Sequence, residues 1–474
     1  MNNKNTICAI ATAIGGALGI IRISGNDSIE ITDKIFQPIG KDKRTLSERE
    51  PYTITFGRII DKSKNNEVID EVLVSIFHAP HSYTGENSVE ISCHGSSYIL
   101  ERIMQMLIDN GCSAAGPGEY TQRAFLNGKM DLSQAEAVAD LIASRSESSH
   151  RIAMNQMKGA FSKELTTLRD KLLHLTSLME LELDFSDHEE LEFADRTELV
   201  NVAQRIKEVI NELIKSFKVG NVIKNGVPVA IVGETNAGKS TLLNKLVGEE
   251  KAIVSDIHGT TRDIIEDTVN INSITFRFID TAGIRDTTDK IETIGIQRTM
   301  KKICQAEIVM LIIDSIYAKE QYNELAPKIL PLCKDKNLII AYNKSDLIPS
   351  ETNSIKDIPY KDIYNHFASF NTIRISAKTG EGIEELRNML YKLSSVNSAS
   401  TNGVIVSNIR HINILQLSLD DISRVIDGFT SNLPSDLVSQ DLRSCIYHLG
   451  EITGGEIQTD EVLGNIFSHF CIGK

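Results

Sequence analysis

The segment GETNAGKS, at 233–240, places a lysine and a serine at the end of a loop that contains two glycines. It follows the apolar run VPVAIV and precedes the helix-like run TLLNKLVG. Backbone amides of such a loop and of the helix N-terminus can cradle phosphate oxygens. Lys239 would bridge the outer phosphates and Ser240 would ligate Mg²⁺. The segment therefore predicts a nucleotide-phosphate site.

Two segments downstream fit the remainder of such a site. DTAG, at 280–283, follows the apolar run ITFRFI, so that Asp280 can hold the magnesium shell and the Gly283 amide can sense the terminal phosphate. GTTRD, at 259–263, lies between the phosphate loop and that strand, where a threonine should reach Mg²⁺ in the triphosphate state. Alone, each segment is an ordinary turn, and it is their order that predicts function.

The base motif is NKSD, at 343–346, which ends the run LIIAY. Asp346 can accept hydrogen bonds from N1 and the exocyclic amine of guanine, and adenine has no donor at these places. SAK, at 376–378, follows the next strand and supplies a backbone contact to the base. We therefore predict a GTP site formed by Asn236, Ala237, Gly238, Lys239, Ser240, Thr241, Thr260, Thr261, Asp280, Thr281, Ala282, Gly283, Asn343, Lys344, Asp346, Ser376, Ala377 and Lys378.

The position after the DTAG glycine distinguishes the chain from Ras-like enzymes, in which a glutamine there positions the attacking water. Here Ile284 occupies it, and an alkyl side chain cannot orient water. Another group must do so, and the segment IRDTTDKIETIG provides Arg285, Asp286, Asp289 and Glu292.

Length and composition limit the alternatives. The 474 residues suggest about three domains. Acidic residues outnumber basic ones 64 to 50, for a net charge of −14, which argues against tight autonomous RNA binding but not against RNA modification. The seven cysteines are scattered, without a CxxC pair, as expected in a reducing cytosol. The apolar stretch 7–21 is broken by glycines and too short to span a bilayer, so no membrane association is predicted.

Hydrophobic periodicity changes along the chain. Residues 1–125 mix short β-rich runs with one helix, which predicts an α+β domain, and 126–225 have a long helical period. Residues 226–395 alternate apolar strands with helices, which indicates a Ras-like P-loop domain with a doubly wound, mainly parallel sheet. Helical periodicity returns over 396–474, so the P-loop domain is predicted to be inserted into one discontinuous helical domain.

Beyond the nucleotide motifs, the chain resembles the MnmE (TrmE) family of tRNA-modification GTPases along its whole length. The diagnostic strings are GIIRISG, SYTGENSVEISCHG, PGEYTQRAFLNGKMDLSQAEAVADLI, AIVSDIHGTTRD, DTAGIRDTTDKIETIGI and the terminal DEVLGNIFSHFCIGK. A generic GTPase would share the nucleotide motifs but not the others.

The resemblance implies a cytoplasmic homodimer that acts with an FAD-dependent partner subunit, MnmG, in a heterotetramer. The two would share a tRNA and add a carboxymethylaminomethyl or aminomethyl group to C5 of its wobble uridine. The one-carbon donor would be a tetrahydrofolate derivative, 5-formyl- or methylene-tetrahydrofolate, bound by the dimerising amino-terminal domain. By matching motifs, the folate contacts would be Arg22, Glu90, Lys129 and Lys474.

The same resemblance implies a potassium ion in the GTPase domain. Its ligands would be Asn236 and the backbone carbonyls of Ser255, Ile257 and Thr260, which would also place Ser255 in the GTP site. Thr261 would join Ser240 on Mg²⁺. Glu292 would be the catalytic residue that orients the attacking water. The potassium charge would replace an arginine finger.

Two other functions are compatible with the motifs. A regulatory GTPase of RNA or ribosome assembly would lack modification chemistry, but the acidic helical flanks do not supply the basic RNA-binding module that it needs. A folate-dependent one-carbon transferase, timed by its GTPase domain, overlaps with the first interpretation. Alone, each predicted folate contact would be an ordinary surface charge.

Overall fold

The computed structural model describes most of the chain. The described residues are 5–184, 196–234, 236–248, 267–279, 303–334, 336–348, 371–394, 403–431, 433–455, 463, 466–468, 470 and 472–473. Two compact units are present, and each is continuous in space but not in sequence. The first contains Met1–Ile142, Met154–Ile206 and Leu417–Lys474, and the second contains Ala143–Ala153 and Lys207–Gln416.

The first unit contains a seven-stranded sheet in the order β3-β4-β5-β6-β2-β1-β7. Neighbouring strands are antiparallel, except that β1 and β7 are parallel. The strands are β1 (Ile7–Ile10), β2 (Leu18–Ser24), β3 (Phe36–Pro38), β4 (Ile54–Asp61), β5 (Glu67–Phe77), β6 (Ser88–His94) and β7 (Ser113–Ala114). Gly15 and Gly16, two of the glycines that break the first apolar stretch, lie between β1 and β2, which form an antiparallel pair.

Three helices accompany this sheet: α1 (Ser28–Ile35), α2 (Ser97–Asp109) and α3 (Glu119–Leu126). Alternate residues of β2 and β6, such as Ile21 and Ile91, are buried with Leu100 and Ile103 of α2 in one core. Successive side chains of a strand point to opposite faces of the sheet, and a helix repeats about every 3.6 residues, so each element buries only one of its faces in this core. The α+β character predicted for the amino-terminal region is therefore present.

Long helices follow, as the period predicted: α4 (Leu132–Ala143), α5 (Glu147–Met157), α6 (Ala160–Asp184) and α7 (Arg196–Asn225). The leucine stripe of α6 is buried, at Leu165, Leu168, Leu172 and Leu175. An apolar stripe with this spacing covers one helix face, which packs as core.

The second unit contains a six-stranded sheet in the order β13-β12-β11-β8-β10-β9. Its strands are β8 (Val227–Val232), β9 (Asp267–Ile271), β10 (Ile274–Ile279), β11 (Ile308–Asp314), β12 (Asn337–Asn343) and β13 (Asn371–Arg374). All neighbours are parallel except β9 and β10. Strand β9 was not predicted, because its sequence DTVNI alternates polar with apolar residues instead of forming the apolar run typical of a central strand.

The described helices around this sheet are α8 (Lys239–Gly248), α9 (Ala318–Ile329) and α10 (Ile383–Leu393). Every residue of β11 is buried, and its alternate side chains enter two different cores. Leu242 of α8 and Leu386 of α10 belong to one core, and Tyr322 of α9 to the other. A strand buried on both faces is what a doubly wound arrangement requires.

The last two helices in the described part of the chain are α11 (Ile409–Thr430) and α12 (Ser435–Thr453). Helix α12 packs against α6 within the first unit. In the parts of the chain that the structure describes, none of the helices has the length and apolar character needed to cross a membrane. The mixed α/β and helical composition agrees with prediction, whereas the domain borders near 125, 225 and 395 stay predictions.

Candidate functional site

The predicted phosphate loop joins β8 to α8 through a backbone that glycine permits. Gly238 has a φ of +95°, and a Cβ there would lie 2.1 Å from Nδ2 of Asn343. Asn236 also has a positive φ, of 65°. Asparagine tolerates this conformation better than most residues, whereas a side chain at 238 would meet both strain and a steric clash. The loop is thus shaped by residue types that its sequence motif specifies.

Lys239 lies against the loop from which it starts. The Lys239 Nζ donates to the carbonyl oxygens of Gly233 and Glu234, each at 2.7 Å. The next two residues, Ser240 and Thr241, lie in the first turn of α8, and both are exposed. The helix N-terminus therefore presents an ammonium group, two hydroxyls and backbone amides together, a set suited to phosphate and to a phosphate-bound Mg²⁺.

Asn343 connects three of the predicted motifs. It is 2% exposed, and its Nδ2 donates to the carbonyl oxygen of Ala237 at 2.8 Å. Its Oδ1 accepts a hydrogen bond from the backbone amide of Ala377 at 2.9 Å. One buried amide therefore holds the phosphate loop, NKSD and SAK together, and a buried amide with satisfied partners fixes its neighbours strongly.

Asp346 is oriented by the SAK segment. Its Oδ1 accepts a hydrogen bond from the Ser376 hydroxyl at 2.7 Å, while the Thr379 amide donates to that hydroxyl at 3.2 Å. Ser376 is fully buried, whereas Asp346 and Lys378 are exposed. A carboxylate with one oxygen held in this way can turn acceptor positions toward a guanine edge.

Lys344 lies between Asn343 and Asp346 in the NKSD motif and has a φ of 66°. It forms an ion pair that was not predicted from the sequence. Its Nζ lies 2.6 Å from Oδ2 of Asp314, the last residue of β11, which is 5% exposed. Asp314 and Asn343 are paired in register on neighbouring strands. The available signal was an acidic residue that ends the apolar run IVMLIID at the same sheet edge as the other motifs.

In the amino-terminal region, the structure brings together Arg22 and Glu90. These residues are cross-strand partners on β2 and β6. Oε1 of Glu90 lies 2.9 Å from Nε and 2.7 Å from Nη2 of Arg22. About a quarter of each side chain is exposed, at 23% and 27%. The pair is therefore charge-assisted, geometrically fixed and still accessible to a ligand.

The described end of the chain reaches the same place. Ile472 forms a β-bridge with Pro117, and Nη1 of Arg22 donates to the carbonyl oxygen of Gly473 at 3.4 Å. Gly473 has a φ of +91°, and a Cβ there would lie 2.6 Å from the Ile10 carbonyl oxygen. The terminal motif is thus packed against the amino-terminal sheet, beside Arg22.

Two tyrosines near Arg22 escaped the sequence analysis. The Arg22 guanidinium lies 5.6 Å from the ring centre of Tyr83 and 5.8 Å from that of Tyr120. The Tyr120 hydroxyl donates to the Arg22 carbonyl oxygen at 2.7 Å, and the Tyr83 hydroxyl lies 2.9 Å from that of Thr121. Burial raises the pKa of both phenols above its usual value, so both hydroxyls remain protonated.

Lys129 and several other predicted residues are not joined to these clusters by the described contacts. The exposed Lys129 Nζ donates to the Pro80 carbonyl oxygen at 3.0 Å.

Within the described ranges, no group of three or more His, Cys, Asp or Glu residues could hold a metal ion. The predicted residues that lie outside the described ones are Ser255, Ile257, Thr260, Thr261, Asp280, Thr281, Ala282, Gly283, Glu292 and Lys474.

Comparison with known proteins covers the whole chain. The family model "GTP-binding protein TrmE N-terminus" matches residues 6–129, and "MnmE helical domain" matches residues 132–471. A GTP-binding protein from Sulfolobus solfataricus in complex with GDP aligns at 21% identity over 49% of this chain and 68% of that chain, with a TM-score of 0.30, too low to bear on fold or function.

Curated relatives from several bacteria carry the name tRNA modification GTPase MnmE. Those of Bacteroides thetaiotaomicron and Bacteroides fragilis strain YCH46 are 59% and 60% identical to this chain, and that of Flavobacterium johnsoniae is 49% identical. Each alignment covers 100% of this chain and 100% of the relative. Identity at this level over the full length establishes the family. The chain belongs to the MnmE family of tRNA modification GTPases.

Proposed function

We propose that the chain hydrolyses GTP and, with an FAD-dependent MnmG-type subunit, modifies the wobble uridine of tRNA. The group added at C5 would be carboxymethylaminomethyl or aminomethyl, with a tetrahydrofolate derivative as the one-carbon donor. The observation that best supports the nucleotide part is the Asn343 amide, which joins the phosphate loop to both base motifs. The tRNA part rests on full-length family membership.

The base pocket favours guanine for a specific chemical reason. Asp346, held by Ser376, can accept from the N1 and exocyclic amino groups of guanine. Adenine presents an acceptor and no donor at these positions, so it would leave the carboxylate without a partner. Unpaired polar groups in a binding site reduce affinity strongly, which makes GTP the expected nucleotide.

Hydrolysis is proposed to depend on residues that replace the missing glutamine. Glu292 would orient water, Ser240 and Thr261 would hold Mg²⁺, and K⁺ near Asn236 would supply positive charge opposite the developing phosphate charge. The left-handed backbone and exposure of Asn236 leave its side chain accessible to an ion at the loop. The remaining K⁺ ligands would be the carbonyls at 255, 257 and 260.

Steady-state GTPase assays in matched KCl and NaCl buffers test this catalytic proposal. Glu292→Ala should leave GTP binding nearly normal and lower turnover by a factor on the order of 10². Asn236→Ala should abolish the stimulation by K⁺ over Na⁺, because the smaller ion fits a cage of carbonyls poorly. Equal rates in both salts for the unmutated protein would contradict the potassium mechanism.

The amino-terminal cluster has the chemistry of a reduced-folate site. A folate carries an anionic glutamate and a donor-rich pterin, which suit the guanidinium of Arg22 and the carboxylate of Glu90. The exposed ring of Tyr83 beside Arg22 adds flat apolar surface of the kind that ligand pockets contain, while the buried Tyr120 supports Arg22 from within the fold. Lys129 and Lys474 are proposed to complete the site.

The proposed assembly is a homodimer that binds the FAD-dependent subunit and shares the tRNA with it. A net charge of −14 favours sharing, because a strongly acidic chain repels a polyanion unless a partner supplies basic surface. Dimerisation through the amino-terminal domain would follow the family resemblance.

Mass spectrometry of tRNA nucleosides from a strain that lacks this chain tests the proposal as a whole. Loss of the C5-modified wobble uridine, restored by the wild-type chain but not by Asp346→Asn, is the expected result. Unchanged nucleosides together with a ribosome-assembly defect would instead favour a regulatory GTPase without modification chemistry.

A further inference from the structure

We propose that Gln321 is a positioning residue for nucleotide binding, through which the phosphate loop and the base-recognition lysine are coupled. The inference rests on the proposed GTP site and adds to it a residue outside the sequence motifs. Gln321 lies on α9, which carries none of the predicted site residues. It is 7% exposed, and both ends of its amide are bonded to site elements.

One end of the amide reaches the phosphate loop. Nε2 of Gln321 donates to Oε2 of Glu234 at 2.8 Å. The backbone carbonyl of the same Glu234 accepts the Lys239 ammonium at 2.7 Å. Gln321 therefore positions Glu234, whose carbonyl oxygen binds the Lys239 ammonium. The hydrogen bond from Gln321 to the Glu234 carboxylate is charge-assisted, which makes it stronger than one between neutral groups.

The other end reaches the base side. Oε1 of Gln321 accepts from the backbone amide of Asp314 at 2.8 Å. Oδ1 of Asp314 accepts from the Ile316 amide at 3.0 Å, and its Oδ2 lies 2.6 Å from Nζ of Lys344. These bonds fix the carboxylate that orients the lysine of NKSD. Glutamine suits this position because one side chain must donate on one side and accept on the other.

The consequence concerns the order of the site before nucleotide arrives. Binding is weaker when a ligand must first order the loops that contact it. Gln321 has both polar atoms engaged by protein, so its effect on nucleotide passes through Glu234 and Asp314. Disrupting it should raise the Kd and KM for GTP, while kcat at saturating GTP changes less than about twofold.

A charge exchange tests the coupling. Gln321→Glu would set a carboxylate against that of Glu234 while still accepting from Asp314, and should raise the Kd for a fluorescent GTP analogue about tenfold or more. Adding Glu234→Gln restores a donor to face the new acceptor, so the double variant should return to within about threefold of wild type. Glu234→Gln alone should have only a small effect.

Asn323→Asp is the matched control, because it adds the same charge at an exposed position two residues away on α9. It should leave the Kd unchanged. An unchanged Kd in Gln321→Glu, or a raised Kd without recovery in the double variant, would overturn the inference. Failure of the unmutated chain to bind the analogue would instead refute the proposed GTP site.

A second variant covers the case in which Gln321→Glu does not fold, as judged by circular dichroism. Glu234→Ala removes the acceptor of the same hydrogen bond from a half-buried loop residue. It should raise the Kd several-fold with kcat retained. A normal Kd for this variant would contradict the coupling.

Discussion

The nucleotide site and the Arg22 cluster are assembled in different ways. In the nucleotide site, Asn343 and Asp314 end neighbouring parallel strands and meet at one edge of the sheet. In the Arg22 cluster, the contacts join residues 68 and 451 positions apart, from β6 and from the end of the chain. The first site is a set of local motifs on strand ends, and the second depends on strand register and on long-range packing.

This difference explains which changes each site should tolerate. A phosphate loop is shaped by its own backbone, so that one added methyl group can destroy it. The Arg22 cluster is shaped by side chains from separate elements, so that loss of one contact should weaken ligand binding while the fold persists. Substitutions in each site, each with a matched control, test this contrast.

Gly238→Ala should abolish nucleotide binding, with a loss of affinity of about 100-fold or more. The new Cβ would lie 2.1 Å from Nδ2 of Asn343, at a φ of +95° that disfavours side chains. Equilibrium binding of fluorescent GTP and GDP analogues measures the loss.

Gly248→Ala is the control for that variant. Gly248 lies in the last turn of α8, and a Cβ there meets nothing within 4 Å. Nucleotide binding should be normal and the Tm the same or slightly higher, since alanine restricts the unfolded chain. Normal binding by Gly238→Ala would contradict the loop geometry.

Arg22→Ala should weaken binding of 5-formyltetrahydrofolate to the full-length chain by about tenfold or more, as expected for loss of a charge-assisted contact. GTP binding should be unaffected. Isothermal titration calorimetry measures both ligands on one preparation.

Arg58→Ala provides the comparison for Arg22. It removes the arginine of another cross-strand pair, with Glu71, whose side chains are more exposed at 46% and 48%. Exposed pairs contribute little, so folate binding should be unchanged. If both variants bound folate normally, the proposed role of Arg22 would be wrong.

The smallest effect concerns stability alone. Hydrogen bonds from Ser63 and then Arg102 lower the pKa of the Asp61 carboxyl to about 2. Because the pKa is lower in the folded chain, the ionised carboxylate stabilises the fold at pH values above the unfolded-state pKa, about 4. This stabilisation is lost as pH falls toward 2. Asp61→Asn should therefore lower the Tm at pH 7, with a difference from wild type that shrinks below about pH 4.

Asp109→Asn controls for the loss of one charge. Asp109 is exposed and accepts a hydrogen bond from the Gln105 side chain. Its removal should change the Tm little at either pH. A Tm difference for Asp61→Asn that stayed constant down to pH 2 would show that the carboxylate charge is not the cause.

The phosphate loop, NKSD and SAK are recognisable in the sequence because each is contiguous and each follows an apolar strand. Lys344 was predicted as a site residue, yet its partner Asp314 was not, since pairing across β11 and β12 is visible only in the sheet. Gln321 carries no motif at all. Likewise the polar edge strand β9 has no apolar run by which to recognise it.

The folate contacts around Arg22 were predicted from the family resemblance and not from residue patterns. No local signal links Arg22 to Glu90, because a period of two gives the face of a strand but not the register of its neighbour. Tyr83 and Tyr120 were missed because aromatic residues in loops and helices are usually packing residues.

Recognition of guanine through Asp346 is tested by changing the base specificity of the site. Equilibrium competition between GTP and xanthosine triphosphate should show strong preference for GTP in wild type. Asp346→Asn should reverse that preference, with a loss of about 100-fold or more for GTP, because the amide mismatches guanine and matches xanthine. A variant that still preferred GTP would contradict recognition of guanine by Asp346.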